Sequence, residues 1–87
     1  MNTDRYRTLQ SKLQAFEQWP SAYLFKFIVP QQKLPELEAL FEGHEFSTRE
    51  SSGGRWVSLS CIRTMEDSEA VIEVYKKVDS IEGVYAL

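Results

Sequence analysis

The sequence predicts an α+β domain, a four-stranded antiparallel sheet with two crossover helices on one face and a further helix ahead of it. Three observations carry this. The run Ser21-Ala22-Tyr23-Leu24-Phe25-Lys26-Phe27-Ile28-Val29, between Pro20 and Pro30, is aromatic and β-branched and alternates with period 2. Two later β-prone runs are joined by Ser51-Ser52-Gly53-Gly54, a tight-turn composition. Between and around these runs, apolar residues recur every three or four positions, the helical spacing.

Taken in order, Thr3-Asp4 is a helix N-cap, and Tyr6, Leu9, Leu13 and Phe16 form one stripe on a helix of about residues 4–17. Arg5, Arg7, Gln10, Lys12 and Gln14 make the polar face. Trp19-Pro20 stops the helix, because a residue before proline avoids the α region. An exposed stripe of four large side chains is costly, so this helix is expected to dock, on the open face of the sheet or on a neighbouring copy. In the first strand Tyr23, Phe25, Phe27 and Val29 share the buried face, and Leu24, Lys26 and Ile28 the other. Pro35 suits the first turn of a second helix, whose stripe is Leu34, Leu37, Leu40 and Phe41 and whose end is marked by Gly43.

Strands over 44–50 and 55–63 close as a hairpin. A symmetric loop pairs Glu50 with Arg55, Arg49 with Trp56, Thr48 with Val57, Ser47 with Ser58 and Phe46 with Leu59. Phe46, Thr48, Val57, Leu59 and Cys61 then face one way, and Ser47, Arg49, Trp56, Ser58 and Ser60 the other. Asp67 caps a third helix with Glu69 in its first turn and Lys76-Lys77 near its end, matching the helix dipole. Its stripe is Val71, Val74, Tyr75, Val78 and Ile81, and a last short strand lies within 82–87. Right-handed crossovers convert the order βαββαβ into a ferredoxin-like sandwich with the first and third strands central. The division is therefore an N-terminal amphipathic helix over 1–18 and the ferredoxin-like domain over 19–87.

Composition bounds the function. At 87 residues with 43% hydrophobic and 26% charged content, the chain is a single globular domain. A net charge of −3 provides no overall field for nucleic acid or anionic membrane. No apolar run reaches membrane-span length and no signal peptide is visible, so the expected compartment is cytoplasmic. Cys61 is the only cysteine and is read as a small core hydrophobe.

The runs Trp19-Pro20-Ser21-Ala22-Tyr23-Leu24-Phe25-Lys26-Phe27-Ile28, Glu50-Ser51-Ser52-Gly53-Gly54-Arg55-Trp56-Val57-Ser58-Leu59 and Val71 through Val84 together resemble the YbeD-like family, domain-of-unknown-function family 493. The resemblance spans roughly 16–87. It implies a ferredoxin-like fold similar to ACT-type regulatory domains, which bind amino acids, and it brings no catalytic residues. Where the family's hairpin commonly has Ser-Ser-Lys-Gly-Asn-Tyr, this chain has Gly53 at the lysine position, so no anion-binding lysine carries over.

The residues themselves assemble no catalytic set. A single histidine, His44, supports neither a metal cluster nor a Ser-His-Asp triad; just after a helix, it reads as a C-terminal dipole partner. One cysteine excludes the paired-cysteine redox and metal sites of this fold, and the loop 30–35 has only Lys33 where acylphosphatases use arginine. The glutamates fall on solvated helix faces. Neither an enzyme nor a cofactor is expected. The open sheet face is the candidate binding surface, with Lys26, Arg49, Trp56, Ser58 and Ser60 beside Leu24. Arg49 over Trp56 is also a plain cross-strand cation–π pair. A regulatory or protein-interaction module, working through a protein partner or self-association, is the first reading. A sensor of a small metabolite such as an amino acid is the alternative, and single-stranded nucleic acid the weakest, because the aromatic triplet of RNA-recognition domains is missing.

Overall fold

The computed structural model describes residues 3–16 and 18–87. Its elements are helix α1 (Thr3–Phe16), strand β1 (Ser21–Pro30), a 3₁₀ turn (Gln31–Lys33), α2 (Leu34–Leu40), β2 (Ser47–Glu50), β3 (Trp56–Met65), α3 (Ser68–Asp79) and β4 (Tyr85–Ala86). The sheet is antiparallel in the order β2-β3-β1-β4, so β1 and β3 are the central strands and the domain is the expected α+β, ferredoxin-like sandwich.

Period 2 decides which side is core. Phe25, Phe27 and Val29 from β1 and Val57, Leu59 and Cys61 from β3 are at most 1% exposed, under Leu37 and Phe41 at α2 and Val71, Tyr75 and Val78 of α3. Phe25, Phe27, Phe41 and Tyr75 form an aromatic cluster with ring centroids 5.6–6.3 Å apart. The Tyr23 and Tyr75 hydroxyls hydrogen-bond at 2.9 Å, so each ring is anchored by a polar tip as well as by packing. Asp67 caps α3 as predicted, its Oδ1 accepting from the Ala70 N–H at 2.8 Å.

Three sequence expectations are corrected. The hairpin register is shifted by two: Ser47 pairs with Ser60, Thr48 with Leu59, Arg49 with Ser58 and Glu50 with Val57. The reason is the turn, which spans Ser52 to Arg55 instead of Ser51 to Gly54; the Arg55 carbonyl, accepting from the Gln31 N–H at 3.0 Å, continues the β1–β3 ladder. The Ser51 N–H then reaches the Trp56 carbonyl at 2.8 Å, and Gly54, at φ +69°, closes the turn onto Ser51. A shift of two keeps every side chain on its predicted face, so the faces survive although the pairs do not.

Second, β2 begins at Ser47 rather than His44. Gly43, at φ +86°, ends the turn after α2, and the chain over 44–46 runs outside the ladder. There the Cys61 thiol donates to the Glu45 carbonyl at 3.3 Å, and Phe46 packs against the core.

Third, α1 docks on α3 and not on the open sheet face. Leu13 is buried, Tyr6 and Leu9 pack on the core, and the Tyr6 hydroxyl donates to Asp79 at 2.7 Å. Phe16 carries the stripe's last side chain, which lies outside the described residues. The contact is made by apolar packing, by the Tyr6–Asp79 hydrogen bond and by Lys76 of α3, whose ammonium lies over the Tyr6 ring 5.7 Å from its centroid.

Candidate functional site

The sheet face away from the helices is built by the other phase of each strand. Along β1 it carries Leu24, Lys26 and Ile28, and along β3 Trp56, Ser58, Ser60 and Ile62. The pairings Lys26–Ser60 and Ile28–Ser58 align the two strands, and Ser47 and Arg49 of β2 lie beyond Ser60 and Ser58. On the other side, β4 pairs Tyr85 with Ile28, and the Leu87 N–H donates to the Lys26 carbonyl at 2.8 Å. All five sequence-predicted site residues therefore lie on one face.

Their pairing differs from expectation. Because the hairpin is shifted, Arg49 sits opposite Ser58, and the Ser58 hydroxyl donates to the Arg49 carbonyl at 3.4 Å. The Arg49–Trp56 cation–π pair is not formed; Trp56 instead meets Tyr85, with ring centroids 6.1 Å apart. The cation over a ring found among the described residues is Lys76 over Tyr6, where α1 docks.

The face is more apolar than the predicted patch. Leu24, Ile62, Tyr85 and Leu87 are the large hydrophobic residues exposed by more than half among those described, and all four project from it. Sequence reasoning placed only Leu24 there. Ile62 carried the same signal, since it shares the phase of Ser58 and Ser60, but it lay at the end of the predicted strand. Tyr85 and Leu87 had no usable signal, because the phase of a two-residue strand depends on which neighbour residue it pairs with.

Two ends can be distinguished. Near the hairpin, Trp56 and Tyr85 make an aromatic end above Ile28. At the opposite end, Leu24 and Ile62 line an open trough of about 670 Å³, together with Ser60, Ser47 and the segment His44, Glu45 and Phe46. Between them lies a polar band of Ser58 and Ser60, flanked by Lys26 on β1 and Arg49 on β2.

The charge is one-sided. The four strands contain a single carboxylate, Glu50, and its phase is that of Thr48 and Leu59, away from this face. Lys26 and Arg49 thus stand without a carboxylate on the strands beside them, in a chain whose net charge is −3. Cys61 points the other way, into the core, where burial raises its thiol pKa; Arg63 pulls in the opposite direction and is outweighed. A thiol held protonated there is a packing group, not a nucleophile.

Among the described residues, no cluster of three or more His, Cys, Asp or Glu side chains is arranged to hold a metal, and no helix is long and apolar enough to cross a membrane. What the face offers is shape, apolar area and positive charge. No curated protein and no solved structure matches the chain. The family model described as "Protein of unknown function (DUF493)" matches residues 15–87, taking in the whole sheet, α2 and α3, and the chain belongs to that family.

Proposed function

We propose that this protein is a non-catalytic regulatory or interaction module that seats a partner protein on the open face of its sheet. The observation that carries the reading is the gathering of Leu24, Ile62, Tyr85 and Leu87 on that one face. Isolated exposed hydrophobics are ordinary, but large ones drawn from three strands onto one side form a patch of the kind that marks interaction surfaces. Trp56 serves as the half-buried aromatic anchor, Arg49 as the forked donor, and the exposed Lys26 as a second cation.

The test is partner capture at equal folded concentration. Ile62→Glu and the pair Lys26→Ala with Arg49→Ala are expected to reduce capture, whereas Glu36→Ala, on the exposed surface of α2, leaves it intact. Capture unchanged by the sheet variants and lost with Glu36→Ala would move the site to the helix layer.

A sensor of a small metabolite is the second reading, supported by the trough at Leu24 and Ile62. The trough lies open to solvent instead of enclosing a ligand as small-molecule sites do, which favours a macromolecular partner. A thermal-shift screen with free amino acids decides it: a rise in Tm abolished by Ile62→Glu would establish the sensor.

A further inference from the structure

The open face has a length, a width and a charge, and together they specify the kind of chain that fits it. From Trp56 to Ile62, β3 rises about 20 Å, which separates the aromatic end from the aliphatic one. Across the strands, the backbones of β1 and β2 lie about 10 Å apart with β3 between them. The middle of β3 carries two small side chains, Ser58 and Ser60, so the surface there is a shallow track with two cations set diagonally across it, Lys26 beside Ser60 on one side and Arg49 beside Ser58 on the other. An α-helix is about 10 Å across and covers about 20 Å in some 13 residues.

Backbone accounting points the same way. In this track β3 is hydrogen-bonded to β1 on one side and to β2 on the other, so its main-chain groups are already used. An extended segment lying on the face would therefore meet side chains alone and lose water from its own N–H and C=O groups. A helix satisfies those groups internally and needs none from the sheet.

Resting on the reading of this face as a docking surface, we propose that its partner element is an acidic amphipathic helix lying along β3. Its apolar residues meet Trp56 and Tyr85 at one end and Leu24 and Ile62 at the other, and its carboxylates in the middle face Lys26 and Arg49. A second copy of this chain is the poorer match, because sheet-to-sheet pairing would set the Lys26 and Arg49 of each copy against each other, with one carboxylate, Glu45, in the trough of each. The chain's own α1 is already placed on α3, where Leu13 is buried and the Tyr6 hydroxyl donates to Asp79.

Leu87 lies on this face, so a test segment joined after it through a flexible Gly/Ser linker is held beside the track at roughly millimolar effective concentration. Three segments of about 14 residues are compared: an amphipathic one with glutamates at its centre, the same with lysines for the glutamates, and the glutamate form with two central prolines. Amide chemical shifts of Leu24, Lys26, Ser60 and Ile62, Trp56 emission and helical circular dichroism report seating. The glutamate segment is expected to gain helicity and shift those amides, and the lysine segment to populate the seated state roughly tenfold less. The proline segment is expected to stay unseated.

Equal seating of the proline segment would overturn the helix while leaving the docking surface standing. Seating of none would overturn both, and equal seating of the lysine segment would remove the charge argument. A dimer in sedimentation that Ile62→Glu dissolves would replace the partner helix with a second copy. Quenching of Trp56 by an untethered oligouridine, lost with Lys26→Ala and Arg49→Ala, would replace it with single-stranded nucleic acid.

Discussion

Leu24 and Phe25 are neighbours in one strand, both large and apolar, yet Leu24 is 54% exposed and Phe25 is sealed. The two faces of the sheet differ in the same way throughout. On one side α2 and α3 cover the phenylalanines; on the other, leucine, isoleucine and tyrosine side chains stand in water among serines and two cations. The hydrophobic effect acts identically on both sets of side chains. What separates them is whether a second layer was supplied by the same chain. Here the two crossover helices cover one face, and α1 packs on α3 instead of the bare side, burying Leu13 and linking Tyr6 to Asp79.

The largest expected effect tests the covered face. Phe25→Ala removes a ring in contact with Tyr23, Phe27, Phe41 and Tyr75 and is expected to cost about 3–5 kcal/mol in urea unfolding. Near wild-type stability for this variant would mean that the two faces are not core and surface at all.

An intermediate effect is expected at Gly83, which decides how β4 joins the sheet. Its φ is +82°, and an added Cβ would lie 2.9 Å from Cγ of Pro30. Gly83→Ala is expected to cost about 1–2 kcal/mol from the left-handed backbone alone. It should also change Trp56 emission by displacing Tyr85 from the indole. If emission is unaltered while stability falls, the Trp56–Tyr85 contact does not depend on β4.

The smallest effect tests the bare face. Leu24→Ser and Ile62→Ser are each expected to shift stability by no more than about 0.5 kcal/mol, because both side chains are already largely in water. A loss for either approaching that of Phe25→Ala would show that the bare face is covered in solution, and the comparison between faces would then become one between an internal and an external partner.

Much of this was legible in the sequence for a simple reason: alternation and helical spacing are local properties. The phase of β1, the burial of Phe25 and Phe27, the Asp67 cap, the stripe of α3 and the inward-facing Cys61 all follow from residues within one element and its ends. Even the hairpin faces came through a wrong register, since a shift of two preserves phase. Ile72, buried outside the predicted α3 stripe, shows where such reasoning stops: it lies where α1 comes against α3, beside Gln10.

Only the tertiary structure decided the rest. The hairpin register depended on which residues closed the turn, Ser51 on Trp56 with Gly54 left-handed, a choice that a run of serines and glycines leaves open. The surface on which α1 docks depended on Asp79 and Ile72 of α3 standing where Tyr6 and Gln10 reach them, although its apolar stripe was plain from the start. The candidate site needed both kinds of information. Lys26, Arg49, Trp56, Ser58 and Ser60 could be assigned to one face from phase alone, while the apolar patch of Leu24, Ile62, Tyr85 and Leu87 arises from three strands whose order and pairing no single segment encodes. A residue's own alternation determines which way it points; what stands beside it is settled only when the strands are assembled.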